Sequence, residues 1–197
     1  MKPVIGYILL LFGGMLITWA INSFFISPLI CMLYVVIGTA IIFGLDALIA
    51  WLLHMLPEKY FNYKKRIFLV SEREKKFYEK LGIRKWKDKV PEMGQVCDFK
   101  KNKIASTEQK YIDKFLVETC YAEIIHISMI LIGFLIIPIF HFAHAGYFLN
   151  FSLPLIIINI YLNLPPILIQ RYTRPKLLKL KERELRKQTT ENAVTPK

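Results

Sequence analysis

The chain is poor in the residue patterns from which most soluble enzymes build an active site. Its three cysteines, Cys31, Cys97 and Cys120, are an odd number, and their spacing fits neither a disulfide framework nor a zinc site. The sequence contains no glycine-rich phosphate loop, no nucleophile elbow and no zinc-peptidase motif. Acidic residues are also few, 15 against 27 lysines and arginines, which gives a formal net charge of +12. The common soluble enzyme classes are therefore not indicated.

Apolar residues, in contrast, are abundant. They make up 54% of the 197 residues, and the mean hydropathy is +0.37. This is too apolar for an ordinary soluble domain and excludes a disordered chain. Four nearly uncharged stretches approach the length of roughly 20 residues that a membrane-spanning helix needs, and they cover residues 4–26, 29–56, 124–142 and 147–169. The first is too long for the core of a signal peptide, so we expect it to be retained.

The distribution of basic residues predicts how these helices are oriented. One lysine precedes the first stretch, 17 lysines and arginines lie in residues 57–119, nine lie in 171–197, and the connections 22–28 and 141–146 have none. Because cytoplasmic loops are enriched in lysine and arginine, both termini and the central segment are expected in the cytoplasm. A nucleic-acid partner is not expected, since the basic residues follow the membrane boundary.

The predicted fold is an all-α integral membrane protein of the cell membrane, with four transmembrane helices arranged as two hairpins. A basic, mainly helical cytoplasmic segment joins the hairpins. The predicted divisions are a first hairpin in residues 1–56, the cytoplasmic segment in 57–119, a second hairpin in 120–170 and a basic cytoplasmic tail in 171–197. Within the tail, residues 188–197 are expected to be disordered.

The cytoplasmic segment carries a clear helix signal. Ser71 and Glu74 form a capping-box pattern, and Gly82 suits a helix end, so a helix is predicted over residues 72–81. A second capping-box pattern at Ser106 and Gln109 predicts the start of a longer helix. No glycine or proline interrupts the pattern before Gly133, so one long helix is predicted. It is expected to begin in the cytoplasm and to enter the membrane near Cys120.

A tryptophan surrounded by cations follows the first of these helices. Trp86 lies among Arg84, Lys85, Lys87 and Lys89. Such a cluster is typical of a solvated turn at the lipid headgroups. The alternative is an anion-binding clamp for a phosphate-bearing donor or headgroup.

Three ionisable residues lie where the longer helix is expected to enter the membrane. Glu123 and His126 are three residues apart and so share one side of a helix, whereas Glu118 lies about 80° round from His126. An ionisable group at this depth is costly and suggests function. A carboxylate that orients an imidazole is a common general-base arrangement. The alternative is an interfacial pair that only ties helices together.

The end of the fourth apolar stretch is dense in polar residues. Pro165 and Pro166 are expected to break or kink the helix there. Because arginine favours bidentate contacts with phosphate, this string is a candidate phosphate-binding site. The alternative is that its arginines only anchor the cytoplasmic end of the helix, as basic residues commonly do. Its candidate residues are Asn163, Gln170, Arg171, Tyr172 and Arg174.

Two further polar features lie in apolar surroundings. Asp46 is expected to have a structural partner, such as His54 or a polar group of the fourth stretch. His141 and His144 are three residues apart but have no evident third ligand, so no metal site is predicted.

Four strings in this order resemble the CrtO-type glycosyl-4,4'-diaponeurosporenoate acyltransferases, which act in the last step of staphyloxanthin synthesis. The strings are 57–61, 84–87, 117–126 and 163–175. The resemblance implies a membrane-bound acyltransferase that moves a fatty acyl chain onto a sugar hydroxyl of a glycosylated carotenoid acid. The residues that match the family are Arg84, Trp86, Lys87, Glu118, Glu123, His126, Asn163, Pro165, Gln170, Arg171, Tyr172, Arg174 and Pro175.

We therefore expect an acyltransferase with His126 as general base, and with Glu123 and Glu118 beside it. Arg84, Lys87, Arg171 and Arg174 would hold the phosphates of an acyl thioester donor, which serves as a co-substrate, and no other cofactor is expected. Asn163 or Gln170 would donate a hydrogen bond to the oxyanion.

Two alternatives remain from the sequence. One is an acyltransferase acting on another glycolipid or lipid. The other is a non-catalytic membrane protein that binds anionic lipid or an enzyme partner.

Overall fold

The structure is a computed structural model that describes residues 2–24, 27–90, 106–143 and 153–194. Every regular element in these ranges is helical, which agrees with the predicted all-α class. The α-helices are α1 (Lys2–Asn22), α2 (Pro28–His54), α3 (Glu72–Lys80), α4 (Ile83–Trp86), α5 (Gln109–Ala143) and α6 (Leu153–Val194). Short 3-10 helices cover Glu58–Phe61, Arg66–Phe68 and Lys87–Lys89.

The chain divides into two compact units. The first unit consists of Met1–Leu56 and Ile124–Pro166, and the second unit consists of Pro57–Glu123 and Ile167–Lys197. The boundary after residue 56 coincides with the predicted end of the first hairpin. The later boundaries fall within α5 and α6, so these two long helices contribute residues to both units.

Two helices in the described part are long and apolar enough to cross a membrane. They are Pro28–His54 and the portion Gln109–Leu135 of α5. The portion Phe12–Asn22 of α1, in which every side chain is described, is a further but shorter apolar helix. The start of the fourth predicted stretch and the outer tip with His144 lie outside the described residues. The structure thus supports two of the four predicted spanning helices.

The first unit is held together by contacts of α1 and α6 with α2. Met15 of α1 packs against the buried Cys31 and Val35 of α2. The Trp19 indole N–H donates to the Pro28 carbonyl over 3.1 Å, which ties the end of α1 to the start of α2. On α6, the buried Leu155 contacts apolar side chains of α2, namely Tyr34, Ile42 and Leu45.

The second unit contains the predicted capped helix. The Ser71 hydroxyl accepts from the Glu74 N–H over 3.2 Å, and the Glu74 carboxylate accepts from the Ser71 N–H over 3.0 Å, which confirms the capping box. Gly82 follows α3 with a φ of 61°, a left-handed conformation that glycine adopts without strain. The helix ends at Lys80, one residue before the predicted end at residue 81.

The start of α5 differs in detail from the prediction. The Ser106 hydroxyl accepts from the Glu108 N–H, at 3.1 Å, and the helix begins at Gln109 rather than directly after Ser106. The prediction of one long helix that passes Cys120 is confirmed.

The structure differs from two predictions for the C-terminal part. The predicted helix break at Pro165 and Pro166 is not found, since α6 runs from Leu153 to Val194 and includes both prolines. A proline removes one backbone donor from a helix, and this loss is tolerated where neighbouring groups compensate it. The expected disorder from residue 188 is also not seen as far as Val194, because α6 continues through it.

Candidate functional site

A buried carboxylate pairs with two arginines in the second unit. Glu123 and Arg174 are each 1% exposed. One oxygen of Glu123 accepts from Arg171 over 2.5 Å, and the other accepts from Arg174 over 2.6 Å. Both oxygens of Glu123 are thus paired with guanidinium groups, whereas the sequence had suggested that this carboxylate orients His126.

Nearly every N–H group of the Arg174 guanidinium donates a hydrogen bond. Its Nε donates to the Thr119 hydroxyl over 3.0 Å, and its two terminal nitrogens donate to the Thr119 and Phe68 carbonyls over 3.0 and 2.8 Å. The guanidinium also lies 5.3 Å from the centre of the Phe68 ring. A fully buried charge is tolerated only when it is paired and hydrogen-bonded, and Arg174 meets that condition.

Arg171, which lies three residues before Arg174 on α6, belongs to the same cluster. It donates to the Glu74 carboxylate of α3 over 2.9 and 3.1 Å, and to the carbonyls of Ile67 and Leu69 over 3.2 Å each. Two arginines are therefore balanced by two glutamates. The prediction that Arg171 and Arg174 bind a phosphate of the donor needs revision. Arg174 is fully buried, and both arginines are already paired with glutamates.

The pairing also sets the ionisation of the groups at the edge of the cluster. Burial acts to raise the pKa of Glu74, but the Ser71 N–H and the Arg171 guanidinium outweigh it, so the pKa lies below the ordinary value of 4.5. Burial acts to lower the pKa of Arg171, but the hydrogen bonds to Glu123 and Glu74 raise it. Both groups stay charged at neutral pH.

In the first unit, His126 of α5 is paired with an amide. Its Nδ1 lies 2.8 Å from the Oδ1 of Asn163 on α6. Asn163 is 7% exposed and His126 is half-buried. The orienting partner of the histidine is thus Asn163, a residue that the sequence had placed among the substrate-binding groups.

The hydrogen bonds behind Asn163 fix the direction of this pairing. The Asn163 amide nitrogen lies 2.9 Å from the Asn159 carbonyl and 2.6 Å from the Asn159 side-chain oxygen. The Asn159 amide nitrogen in turn donates to the Met129 carbonyl over 2.8 Å. A carbonyl only accepts, so this chain requires Asn163 to present its oxygen to His126. Nδ1 of His126 therefore carries the hydrogen, and a neutral imidazole has its lone pair on Nε2.

A glycine on α5 makes room for this chain. A Cβ atom at Gly133 would lie 2.0 Å from the amide nitrogen of Asn159. No side chain fits there, so Asn159 packs directly on the backbone of α5. The hydrogen bond from Asn159 to Met129 depends on this close approach.

A groove opens beside Asn163 in the first unit. Its polar lining groups are Thr39, Asp46, Asn159 and Asn163. The other lining side chains are apolar and come from α1, α2 and α6: Met15, Ile42, Phe43, Leu155, Ile158 and Leu162. The groove is thus suited to a molecule with both a hydrocarbon part and a polar part.

The second unit has a separate, basic groove. Its cations are Lys75 of α3 and Arg171, Lys176 and Lys179 of α6, and Glu79 is the only acid that lines it in the described part of the chain. Tyr172 lies in the same wall, with the Lys176 ammonium 3.6 Å from the centre of its ring. The excess of positive charge in this concave surface favours an anionic ligand.

The remaining predicted residues lie apart from these contacts. Trp86 packs against the core of Tyr78, Ile83 and Ile169, and its N–H donates to the Leu81 carbonyl over 3.1 Å, so it has a structural role. Among its neighbours, Arg84 is exposed and Lys87 is paired with Asp88 over 2.7 Å. Glu118 on α5 and Gln170 on α6 are half-buried.

The sequence analysis missed one contributor. Asn159 was not singled out, although it lies four residues before Asn163 and so on the same helix face. The expected partner of Asp46 is not found. His54 is bonded to the Ala50 carbonyl over 2.7 Å, and no hydrogen bond or ion pair to Asp46 occurs within the ranges that the structure describes.

Comparison with known proteins gives one consistent result. Residues 57–183 match the family model described as glycosyl-4,4'-diaponeurosporenoate acyltransferase. The glycosyl-4,4'-diaponeurosporenoate acyltransferases of Staphylococcus aureus strains N315 and USA300 are each 33% identical over 134 residues, covering 64% of this chain and 74% of theirs. No solved structure matches the chain significantly. The matched range includes Glu123, His126 and Asn163, but it does not include Asp46.

Proposed function

The chain belongs to the glycosyl-4,4'-diaponeurosporenoate acyltransferase family and is an acyltransferase, and we propose that it esterifies a sugar hydroxyl of a glycosylated carotenoid acid with a fatty acyl chain. Family membership decides against the non-catalytic alternative. An acyltransferase that acts on another glycolipid or lipid is the remaining alternative for the acceptor.

The observation that supports this chemistry is the oriented pair of His126 and Asn163. A hydroxyl is a weak nucleophile unless a base removes its proton as it attacks. Because Asn163 holds the hydrogen on Nδ1, the Nε2 atom of His126 is the basic atom, and no partner for it is found in the described part of the chain. Asn163 acts as the positioning residue that the sequence analysis had assigned to Glu123.

The reaction follows from these roles. Nε2 of His126 takes the proton of the sugar hydroxyl while the hydroxyl oxygen attacks the thioester carbonyl of the donor. The tetrahedral intermediate collapses with cleavage of the carbon–sulfur bond, and the leaving thiolate takes the proton back from Nε2. The products are an ester and a free thiol, and His126 returns to its starting state.

The role of Asn163 as oxyanion donor does not fit its contacts. Both hydrogens of its amide nitrogen are directed at Asn159, and its oxygen is directed at His126. Gln170 keeps that proposed role, and it is half-buried on α6.

The donor is proposed to be an acyl thioester that carries phosphate groups. The basic groove of the second unit supports this assignment, because Lys75, Lys176 and Lys179 present cations there that are not enclosed as Arg174 is. Of the residues first proposed for the phosphates, Arg171 lines this groove. Arg84, which is exposed, and Lys87, which is half-buried beside Asp88, remain candidates for the same role.

The proposed setting is the cytoplasmic face of the cell membrane. The two apolar helices support an association with lipid, and the excess of basic residues in 57–119 and 171–197 supports cytoplasmic termini and a cytoplasmic central segment. Both substrates are amphiphiles, so a site that opens to the bilayer lets them enter laterally.

The test is an acyl-transfer assay in membranes, with glycosyl-4,4'-diaponeurosporenoate, an acyl thioester and lipid mass spectrometry. We expect the wild type to form a product heavier by one acyl chain, and His126→Gln to lower kcat by about 10²- to 10⁴-fold, the usual worth of a general base. The matched control is His54→Gln, since His54 is an exposed histidine of α2 bonded to its own helix. It should keep activity within about twofold, as expected for a surface change.

Two results would revise the proposal. Acylation of a different lipid, with none of the carotenoid glycoside, would favour the alternative acceptor. Full activity of His126→Gln would show that another group removes the proton.

A further inference from the structure

The groove of the first unit is built by matching faces of two helices. On α2 the lining residues recur at spacings of three and four residues, which places them on one helix face. The same spacing holds on α6. The α2 face consists of Thr39, Ile42, Phe43 and Asp46, and the α6 face of Leu155, Ile158, Asn159, Leu162 and Asn163.

Asp46 is the unusual member of this groove. It is a half-buried acid among apolar side chains, on a helix with the composition of a membrane span. An ionisable group in such a place normally pairs with another residue. Within the described ranges Asp46 has no hydrogen bond or ion pair, so both of its oxygens are available to accept from a bound molecule.

Thr39 adds a second acceptor to the same wall. Its hydroxyl donates to the Val35 carbonyl one turn earlier over 2.7 Å, so the hydrogen is engaged and the oxygen lone pairs remain. Asn163 has no amide hydrogen left for a ligand, because its nitrogen is bonded twice to Asn159. The polar part of the groove therefore mainly accepts hydrogen bonds.

An accepting site selects the chemistry of its ligand. A phosphate or carboxylate offers acceptors and negative charge, and both oppose binding beside Asp46. A sugar offers several hydroxyl donors, and its hydrocarbon substituent suits the apolar residues of the groove. Of the two substrates, only the glycosylated acceptor has this combination.

We propose that Asp46 and Thr39 bind hydroxyl groups of the acceptor's sugar in this groove, next to the Asn163 that holds His126. The inference rests on the proposed function for the identity of the acceptor. Asp46 and Thr39 lie outside the residues 57–183 that match the family, so this part of the acceptor site belongs to the N-terminal segment of this chain. They accordingly determine which glycoside is accepted.

The test compares the affinity for each substrate in membranes that contain the full chain. We expect Asp46→Asn to raise the KM for the glycosylated acceptor about tenfold, as for loss of a hydrogen bond to a charged group, with kcat and the donor KM within about twofold. Thr39→Val should raise the acceptor KM severalfold, and Thr39→Ser, which keeps the hydroxyl, should restore it. Leu48→Ala, on an exposed position of α2 outside the groove, is the control that should match the wild type.

A binding measurement separates this inference from the proposed reaction. Purified protein in nanodiscs is titrated with a fluorescent alkyl glucoside and with the same alkyl chain lacking the sugar. The inference predicts sugar-dependent binding that Asp46→Asn weakens about tenfold, even if that glycoside is not acylated. Equal binding by wild type and Asp46→Asn, or an unchanged acceptor KM in both Asp46→Asn and Thr39→Val, would overturn it while leaving the role of His126 intact.

Discussion

Nδ1 of His126 and Oδ1 of Asn163 lie 2.8 Å apart, and the amide nitrogen of Asn163 is bonded to Asn159 in the opposite direction. The hydrogen bonds therefore all run in one direction, from His126 through Asn163 and Asn159 to the Met129 carbonyl. The lone pair of the imidazole is left on Nε2. The tautomer that can remove a proton from a hydroxyl is the one that these hydrogen bonds select.

Loss of the Asn163 side-chain oxygen, which accepts the hydrogen bond of His126, should lower kcat rather than weaken binding of the acyl donor. Asn163→Leu leaves Nδ1 of His126 without its partner, so the imidazole samples the wrong tautomer, and we expect kcat to fall by at least roughly tenfold. Asn163→Asp keeps an oxygen for Nδ1 and should recover part of the activity. The measurement is kcat and donor KM as functions of pH, and equal rates for Asn163→Leu and wild type would contradict the positioning role.

A side chain at Gly133 should disturb the same series of hydrogen bonds at its other end, where Asn159 donates to Met129. The Cβ atom in Gly133→Ala would lie 2.0 Å from the Asn159 nitrogen, so Asn159 must move and lose its bond to Met129. We expect a loss of about 1–3 kcal/mol in the free energy of unfolding, the cost of a broken buried hydrogen bond, together with reduced turnover. Gly44→Ala is the matched control, because a Cβ atom there meets nothing within 4 Å, and it should not be destabilised. Thermal unfolding in detergent distinguishes the two.

Neutralising Glu123 should affect stability before it affects chemistry. Glu123→Gln leaves Arg171 and Arg174 without their shared carboxylate, and breaking a buried ion pair costs about 3–5 kcal/mol. We expect a large fall in melting temperature and in the yield of folded protein. The comparison is Glu72→Gln, which removes an exposed ion pair with Lys75 and should leave the melting temperature nearly unchanged. A well-folded but inactive Glu123→Gln would instead restore a catalytic role for this residue.

Acid should weaken the contact between α3 and α6. The pKa of Glu74 is lower in the folded protein than its ordinary value of 4.5. Its contribution to stability is therefore complete above that value and is lost as the pH falls through the lower, folded-state pKa. Melting temperatures measured from pH 7 to pH 3 should fall less steeply for Glu74→Gln than for the wild type. Glu79→Gln, on the exposed side of α3, should retain the steeper fall.

The basic groove should affect only the donor. Replacing both Lys176 and Lys179 by glutamine removes two cations from it, and we expect the donor KM to rise severalfold while the acceptor KM stays the same. The increase should diminish in high salt, since exposed charges are screened. Lys110→Gln with Lys114→Gln, which removes two cations of α5 that do not line this groove, is the control. An unchanged donor KM would direct attention to Arg84 and Lys87.

Local signals in the sequence determined much of this protein. The all-helical class follows from long apolar stretches, and the bounds of α3 follow from the Ser71 capping box and Gly82, because these signals act over a few residues. The long α5 was predictable for the same reason, and four strings sufficed to indicate the family. Only the tertiary structure decided which partners the polar side chains take. Glu123 lies three residues from His126 in the chain but binds Arg171 and Arg174, 48 and 51 residues away, and His126 binds Asn163, 37 residues away. Helix periodicity specifies the face on which a side chain lies, whereas its partner depends on which other helix packs against that face.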